Sequence, residues 1–283
     1  MPIRLGLVGL DSSHAEDFLR IINRQRRHPG IAVTQLWCGT EQRIAELRAE
    51  DSSVVVAASL AELLDTVDAV IVGDRHGDLH RAHALAAIEA GKPVFVDKPL
   101  ANSLTDAEAI VTAAEQRGVP LLSGSALRWQ AETLRLKARL AGLTGAFDLF
   151  AYGTWYPQND YGGAIFYAIH TIELVQELIG PAFRRVTLKS GDSPAIRYRS
   201  GDASVTLQFR PLGDSGSSSF GVEVTAGRVD IRQPIPLGED YMAPVVDQIA
   251  AMLHAGRSPM TREALLAPLA LMKEIVAELA ASV

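Results

Sequence analysis

Short apolar runs alternate with stretches of helical spacing through the first 122 residues, and this alternation limits the fold more than anything else in the chain. Apolar runs at 3–9, 31–38, 54–57, 68–72, 94–96 and 119–122 are predicted as strands. Helices are predicted between them at 15–23, 41–50, 78–90 and 105–117. Strands linked by helices of about ten residues or more must run parallel, because only a crossover returns the chain to the same end of the sheet. The implied architecture is a doubly wound parallel sheet. In such sheets ligands bind beyond the carboxyl ends of the strands. Residues 9–14, 73–77 and 97–99 therefore converge on one crevice.

After Ser123 the rhythm changes. A helix at 131–140 leads to a strand at 147–152, a loop at 156–163 and a helix carrying residues 170–178. Polar, alternating strands follow at 185–188, 203–209, 220–225 and 228–231, with a Gly/Ser-rich turn at 214–219 and a return to helix from residue 241. The expected organisation is a first domain over 1–122 and, over 123–283, an α+β domain with a mostly antiparallel sheet. Hydrophobic residues are 48% and charged residues 21% of the 283, enough apolar material for sizeable cores. The net charge of −6 argues against nucleic acid as a partner. The one short basic run, Arg24, Arg26, Arg27 and His28, reads as a solvated helix end. No apolar run reaches transmembrane length, and Cys38 is the single cysteine, so a cytoplasmic, membrane-free protein is expected.

The turn after the first strand reads Gly9-Leu10-Asp11-Ser12-Ser13-His14. A dinucleotide turn has the spacing Gly-x-Gly-x-x-Gly, so Gly9 fits the first glycine, while Asp11 and His14 stand at the second and third. A carboxylate ~4 Å from a phosphate charge costs about 4 kcal/mol at an effective dielectric of about 20. Ser13 and Glu16 have capping-box spacing, which would satisfy the helix start without a ligand; alternatively, the Ser12 and Ser13 hydroxyls donate to a phosphate. After the second strand, Gly39 stands where an acidic ribose anchor belongs. Thr40 and Arg43 offer contacts to a 2′-phosphate, which leaves NAD and NADP both open. Gly73 and Asp74 close the fourth strand at the same crevice.

Two further stretches are more specific. Ala90-Gly91-Lys92-Pro93-Val94-Phe95-Val96-Asp97-Lys98-Pro99 resembles the Gfo/Idh/MocA oxidoreductase family, in which an Ala-Gly-Lys turn and a strand lead into Glu-Lys-Pro; here Asp97 replaces the Glu. Gly162-Gly163 and Phe166-Tyr167-Ala168-Ile169-His170-Thr171-Ile172-Glu173 resemble the family's Asp-x-Gly-x-His-x-x-Asp helix, with Phe166 and Ala168 departing from it. The resemblance implies a Rossmann-type first domain and NAD or NADP as cofactor. It also implies hydride exchange with a secondary alcohol of a sugar, cyclitol or related polyol, and a homo-oligomer formed through the second sheet. It places Lys98 near nicotinamide and substrate, where Pro99 accompanies an unusual backbone turn. His170 becomes the acid/base and Glu173 its orienting or substrate-binding acid, with Tyr167 offering a phenol on the same helix face. Asp97 joins the cofactor contacts. No metal is expected: family members carry histidines such as His76, His80 and His83 without one, and no Cys or carboxylate completes a ligand set in sequence. Two rivals stand beside the dehydrogenase. One is a family member acting as a binding or regulatory module; the other holds its cofactor tightly for net non-redox chemistry.

Overall fold

The structure, a computed structural model, describes residues 1–189, 191, 193–212 and 219–281. By contacts the chain forms two compact units, Met1–Gly124 with Glu239–Leu265 and Ser125–Gly238 with Leu266–Val283.

The first unit is built on a six-stranded sheet of β1 (Ile3–Val8), β2 (Ile31–Trp37), β3 (Val55–Val56), β4 (Ala69–Val72), β5 (Val94–Val96) and β6 (Leu121–Ser123). Its order is β3-β2-β1-β4-β5-β6, and every pairing is parallel. The order reverses direction between β1 and β4, which makes the carboxyl ends of those two strands the ligand crevice of a doubly wound sheet. Leu5, Leu7, Val8, Ile71, Val72, Val94, Phe95 and Val96 are buried. Helices cover both faces, which is why these strands read as continuous apolar runs rather than alternating ones. Each such side chain contributes about 1.5–3 kcal/mol of burial.

The connecting helices are α1 (His14–Leu19), α2 (Glu41–Glu50), α3 (Leu60–Thr66), α4 (Gly77–Glu89) and α5 (Leu104–Arg117). The helix expected over 15–23 is instead α1 followed by a π-helical turn, Arg20–Arg24. The sequence reading passed over α3, which is only seven residues long. Its signal was present: the Ser59 hydroxyl accepts the Glu62 N–H, and the Glu62 carboxylate accepts the Ala58 N–H at 2.8 Å. The basic run at 24–28 is largely exposed, as expected of a solvated helix end, but three of its four basic residues are paired. Arg24 pairs with Glu50, while Arg27 and His28 both reach Asp247 in α8 (Ala243–Ala255). Those bonds help tie residues Glu239–Leu265 to this unit, although their position along the chain suggested the second domain.

The second unit carries η-type turn Ala126–Trp129, α6 (Ala131–Leu140), α7 (Ile165–Ile179) and a sheet of order β12-β11-β7-β10-β9-β8. The strands are β7 (Phe147–Trp155), β8 (Arg184–Lys189), β9 (Ala195–Ser200), β10 (Ala203–Pro211), β11 (Gly221–Ala226) and β12 (Val229–Pro234). All pairings are antiparallel except β7 with β10. Strand β9 escaped the sequence reading although Ile196 and Tyr198 alternate with Arg197 and Arg199, a period-two signal. Leu149, Ala151, Val205, Leu207 and Phe209 form the buried face. Helix α7 packs closely on it: a Cβ at Gly153 would lie 1.7 Å from Thr171 Oγ1. The turn expected at 214–219 lies, but for Ser219, outside the described residues. The last helix, α9 (Arg262–Ala281), contributes to both units. Among the described residues, no helix is long and apolar enough to cross a membrane.

Candidate active site

The residues singled out in the first unit do gather at one edge, because each follows the carboxyl end of a parallel strand: Gly9–His14 after β1, Gly39 and Thr40 after β2, Gly73 and Asp74 after β4, Asp97 and Lys98 after β5. The loops of β1 and β4 interlock at the switch point. Gly9 has φ +78°, and a Cβ there would strike Asp74 Cγ at 2.3 Å. Gly9 is therefore required by Asp74 as well as by its own backbone. A Cβ at Gly73 would come within 3.3 Å of the Gly9 carbonyl oxygen, and one at Gly39 within 2.9 Å of Leu10, so the loops at this edge pack closely on one another. The Asp11 carboxylate turns to the β4 loop and accepts the Arg75 N–H at 3.0 Å.

The expected capping box at Ser13 and Glu16 does not form. Ser13 sits in helical conformation with no side-chain cap, and Glu16 pairs with Arg43. The Ser12 hydroxyl instead accepts the His14 N–H at 3.3 Å. Arg43 is neither a free phosphate ligand nor an idle surface residue. Its guanidinium donates to the carbonyls of Leu10 (2.8 Å) and Ser12 (2.9 Å) and pairs with Glu16 and Glu46, bracing the β1 loop. Thr40 caps α2 by accepting the Arg43 N–H at 3.2 Å.

Beside Lys98, the buried Asp97 carboxylate bonds His14 Nδ1 at 2.5 Å and accepts the Lys98 N–H at 2.8 Å. Burial pushes this carboxyl up, but the charge and hydrogen bond of His14 together with the Lys98 charge outweigh it and hold the group down at about 2. Lys98 itself is buried at the end of β5, and the Lys98–Pro99 peptide is cis, the unusual turn the resemblance implied. Tyr241 meets the His14 ring edge-on at 5.8 Å, and burial and the charges of Asp17 and Asp97 push its phenol up. Tyr241 lies 227 positions beyond His14 in the sequence, so no local pattern could have found it.

The three histidines of the α4 region separate in space. His76 accepts the Asp78 N–H at the helix start. The buried His80 ring lies between the carbonyls of Asp74 and Pro99, each at 2.7 Å. His83 Nδ1 bonds the buried Asp74 carboxylate at 2.7 Å, and the ring stands edge-on to Trp37 at 5.4 Å. The expectation that no Cys or carboxylate accompanies these histidines is overturned for His83, since the fold places Cys38 and Asp74 beside it. The strand ends of β2 and β4 are two strands apart in the sheet but distant in sequence, and spacing rules read only the sequence.

In the second unit, His170 and Glu173 share one network on α7. Ser125 Oγ lies 2.7 Å from His170 Nδ1 and accepts the Leu127 N–H at 3.2 Å. The Glu173 carboxylate accepts the Ser125 N–H at 2.5 Å and Arg128 Nε–H at 2.9 Å. Arg128 continues to Glu177, which also pairs with Lys137. Glu173 is therefore not a bare acid orienting His170 directly. It is buried, and it holds the Ser125 segment that meets the ring. Tyr167 packs against Phe166 and Tyr156 in aromatic contacts at 5.0 and 6.3 Å. Phe166, in place of the family's Asp, also packs on Tyr161. Ser125 and Arg128 were missed by sequence reasoning; a buried arginine 29 residues beyond Pro99, outside both motifs, gives no local signal.

Residues 3–125 match the family described as "Oxidoreductase family, NAD-binding Rossmann fold", Gfo/Idh/MocA. An uncharacterized oxidoreductase of Streptococcus pneumoniae serotype 4 is 28% identical over 205 residues, 67% of this chain and 54% of that protein. An inositol 2-dehydrogenase/D-chiro-inositol 3-dehydrogenase of Halalkalibacterium halodurans is 33% identical over 135 residues, 45% of this chain and 36% of that protein. These matches thus span about a third to a half of the relatives' length. Among solved structures, GenD2 from gentamicin A biosynthesis, in complex with NAD, shares the fold with a TM-score of 0.85 at 19% identity, over 99% of this chain and 94% of that one. With the β3-β2-β1-β4-β5-β6 sheet and the Asp97-Lys98-Pro99 strand end, these likenesses relate residues 3–125 to the NAD-binding Rossmann fold of the Gfo/Idh/MocA oxidoreductases.

Proposed function

We propose that the protein is a dinucleotide-dependent oxidoreductase acting on a secondary alcohol of a sugar, cyclitol or related polyol. The observation that carries this reading is Lys98: a buried lysine at the carboxyl end of β5, beside an ionised Asp97 and at the position of the family's Glu-Lys-Pro lysine. What supports a dinucleotide at this edge is that its residues follow the carboxyl ends of β1, β2, β4 and β5 around the switch point of the sheet. Gly9, Ser12, Ser13 and His14 would hold the phosphates, with Gly39, Thr40, Gly73 and Asp74 lining the nucleoside side. When bound, the dinucleotide supplies the hydride acceptor or donor.

The chain's own residues then position the substrate and move a proton. The Lys98 ammonium orients the reacting oxygen and stabilises negative charge developing on it. Asp97, tied to His14, sets a negative charge beside Lys98 and accepts its backbone N–H. His170 takes the hydroxyl proton at Nε2 while Nδ1 donates to Ser125 Oγ, the arrangement that fixes the tautomer. Glu173 holds Ser125 in place. NAD is favoured over NADP, because Arg43 is committed to the β1 loop and no other arginine or lysine follows β2 before Arg48. A homo-oligomer through the outer face of the second sheet, where Phe150 and Tyr152 are half-buried, belongs to the same proposal, as does a reducing, cytoplasmic setting.

One observation favours the binding-module rival: Asp11 stands at the second glycine's place. Titrating the protein with NAD(H) and NADP(H) decides between them. Micromolar NAD(H) binding, weaker NADP(H) binding, and turnover of a polyol that falls about 10²–10³-fold in Lys98→Ala support the dehydrogenase. A folded protein that binds none of the four dinucleotides refutes it in favour of the module.

A further inference from the structure

Cys38, Asp74 and His83 come from three separate segments, yet one ligand atom from each lies within 4.8 Å of the others. Cys38 is the only cysteine in the chain. It follows β2 directly, at φ +68°, a left-handed conformation that is unfavourable for a side-chain-bearing residue and that glycine would adopt freely. Asp74 brings a carboxylate that is 2% exposed, and its hydrogen bond to His83 Nδ1 is 2.7 Å long. Trp37 stands edge-on to the His83 ring and limits its orientation.

A thiolate, an imidazole and a carboxylate form a mixed, borderline-soft donor set. Magnesium and calcium prefer oxygen ligands throughout, whereas zinc and cobalt take S, N and O together. Zinc–ligand bonds of about 2.0–2.3 Å place neighbouring donors of a tetrahedral site roughly 3.5 Å apart. The charges balance as well, since two anionic ligands neutralise one divalent ion. We propose that Cys38, Asp74 and His83 form a binding site for a zinc-class divalent cation, with a fourth position left to water or an exogenous ligand. On binding, the Cys38 S–H bond breaks and its proton leaves to solvent as the sulfur–metal bond forms. The His83 Nδ1 proton is displaced from Asp74 to the other ring nitrogen. No oxidation change is involved.

The site lies at the same sheet edge as the dinucleotide contacts proposed above but does not rest on them, so the test is run without nucleotide. The full chain is titrated with cobalt(II), whose bond to a thiolate gives a charge-transfer absorption in the near ultraviolet. With one cysteine in the sequence, that band reports Cys38 alone. The expected result is a band saturating at one equivalent, removed by zinc and absent in Cys38→Ser, with the midpoint weakened about tenfold or more in His83→Gln and Asp74→Asn. Absence of the band in excess cobalt, or an unchanged midpoint in folded His83→Gln, overturns the proposal. Asp74 packs against Gly9, so if Asp74→Asn does not fold, the half-buried His83 variant decides the matter.

Discussion

Replacing Glu173 tests whether this acid takes part in the proposed reaction or is the clamp that holds the Ser125 segment against His170. Its carboxylate is 4% exposed and makes two charge-assisted bonds, from Ser125 N–H and from Arg128 Nε–H, whose side chain is equally buried. Removing one member of a buried pair costs about 3–5 kcal/mol, because the other charge is left unneutralised. Here Arg128 keeps a second acceptor in Glu177 at 3.3 Å, which offsets part of that cost. Glu173→Gln retains an oxygen for one donor but loses the charge. We expect about 2–3 kcal/mol of destabilisation, and about 3–5 for Glu173→Leu, where the Ser125 N–H also loses its acceptor. For units of this size, each 1 kcal/mol lowers Tm by about 2–4 °C, so calorimetry should show Glu173→Gln melting about 4–12 °C below the parent. The paired change Glu173→Leu with Arg128→Met removes both charges at once and should recover most of the loss, since well-packed apolar pairs replace buried ion pairs at little net cost. A Glu173→Gln protein that melts within about 1 °C of the parent while losing turnover would refute the clamp and return Glu173 to the chemistry.

Three other outcomes follow from the geometry. Asp97 has a folded-state value near 2 against about 3.9 unfolded, so its contribution, on the order of 2 kcal/mol, is complete above about pH 4 and is lost as pH falls towards 2. Urea midpoints at about pH 3 and about pH 6 should differ less in Asp97→Asn than in the parent, and equal differences would contradict the buried ionised carboxylate. Gly153→Ala should cost about 2–3 kcal/mol, because its Cβ would lie 1.7 Å from Thr171 Oγ1; adding Thr171→Ala, which removes a hydroxyl that has no hydrogen-bond partner, should recover more than half of it in the same unfolding assay. Ser125→Ala should lower kcat about tenfold with KM held and displace the acid limb of the pH–rate profile. A uniform loss at every pH would show that Ser125 does not act through His170.

The first unit was largely legible in sequence because a parallel sheet covered on both faces is written as continuous apolar runs separated by helix-length stretches, and that pattern is local. It located β1, β2, β4, β5 and the edge residues from Gly9 to Lys98. It also misjudged the local start of α1: Ser13 and Glu16 have the spacing of a capping box, but Arg43 claims Glu16 and the working box is Ser59 with Glu62. The site residues of the second unit were legible only where they resemble a family helix, and there His170 and Glu173 were found without the residues that hold them. What the sequence by itself determined was the parallel strands of the first unit and the edge at which its loops gather, because continuous apolar runs and the 3.6-residue helical period are local signals. Only the tertiary structure decided the partners: Asp97 with His14 and Tyr241, Glu173 with Ser125 and Arg128, and Cys38 with Asp74 and His83. Hydrogen bonds and ligand sets act over about 3–5 Å in space, whereas their members here stand 3 to 227 residues apart in the chain, and chain separation carries no information about which side chains a fold will bring within that reach.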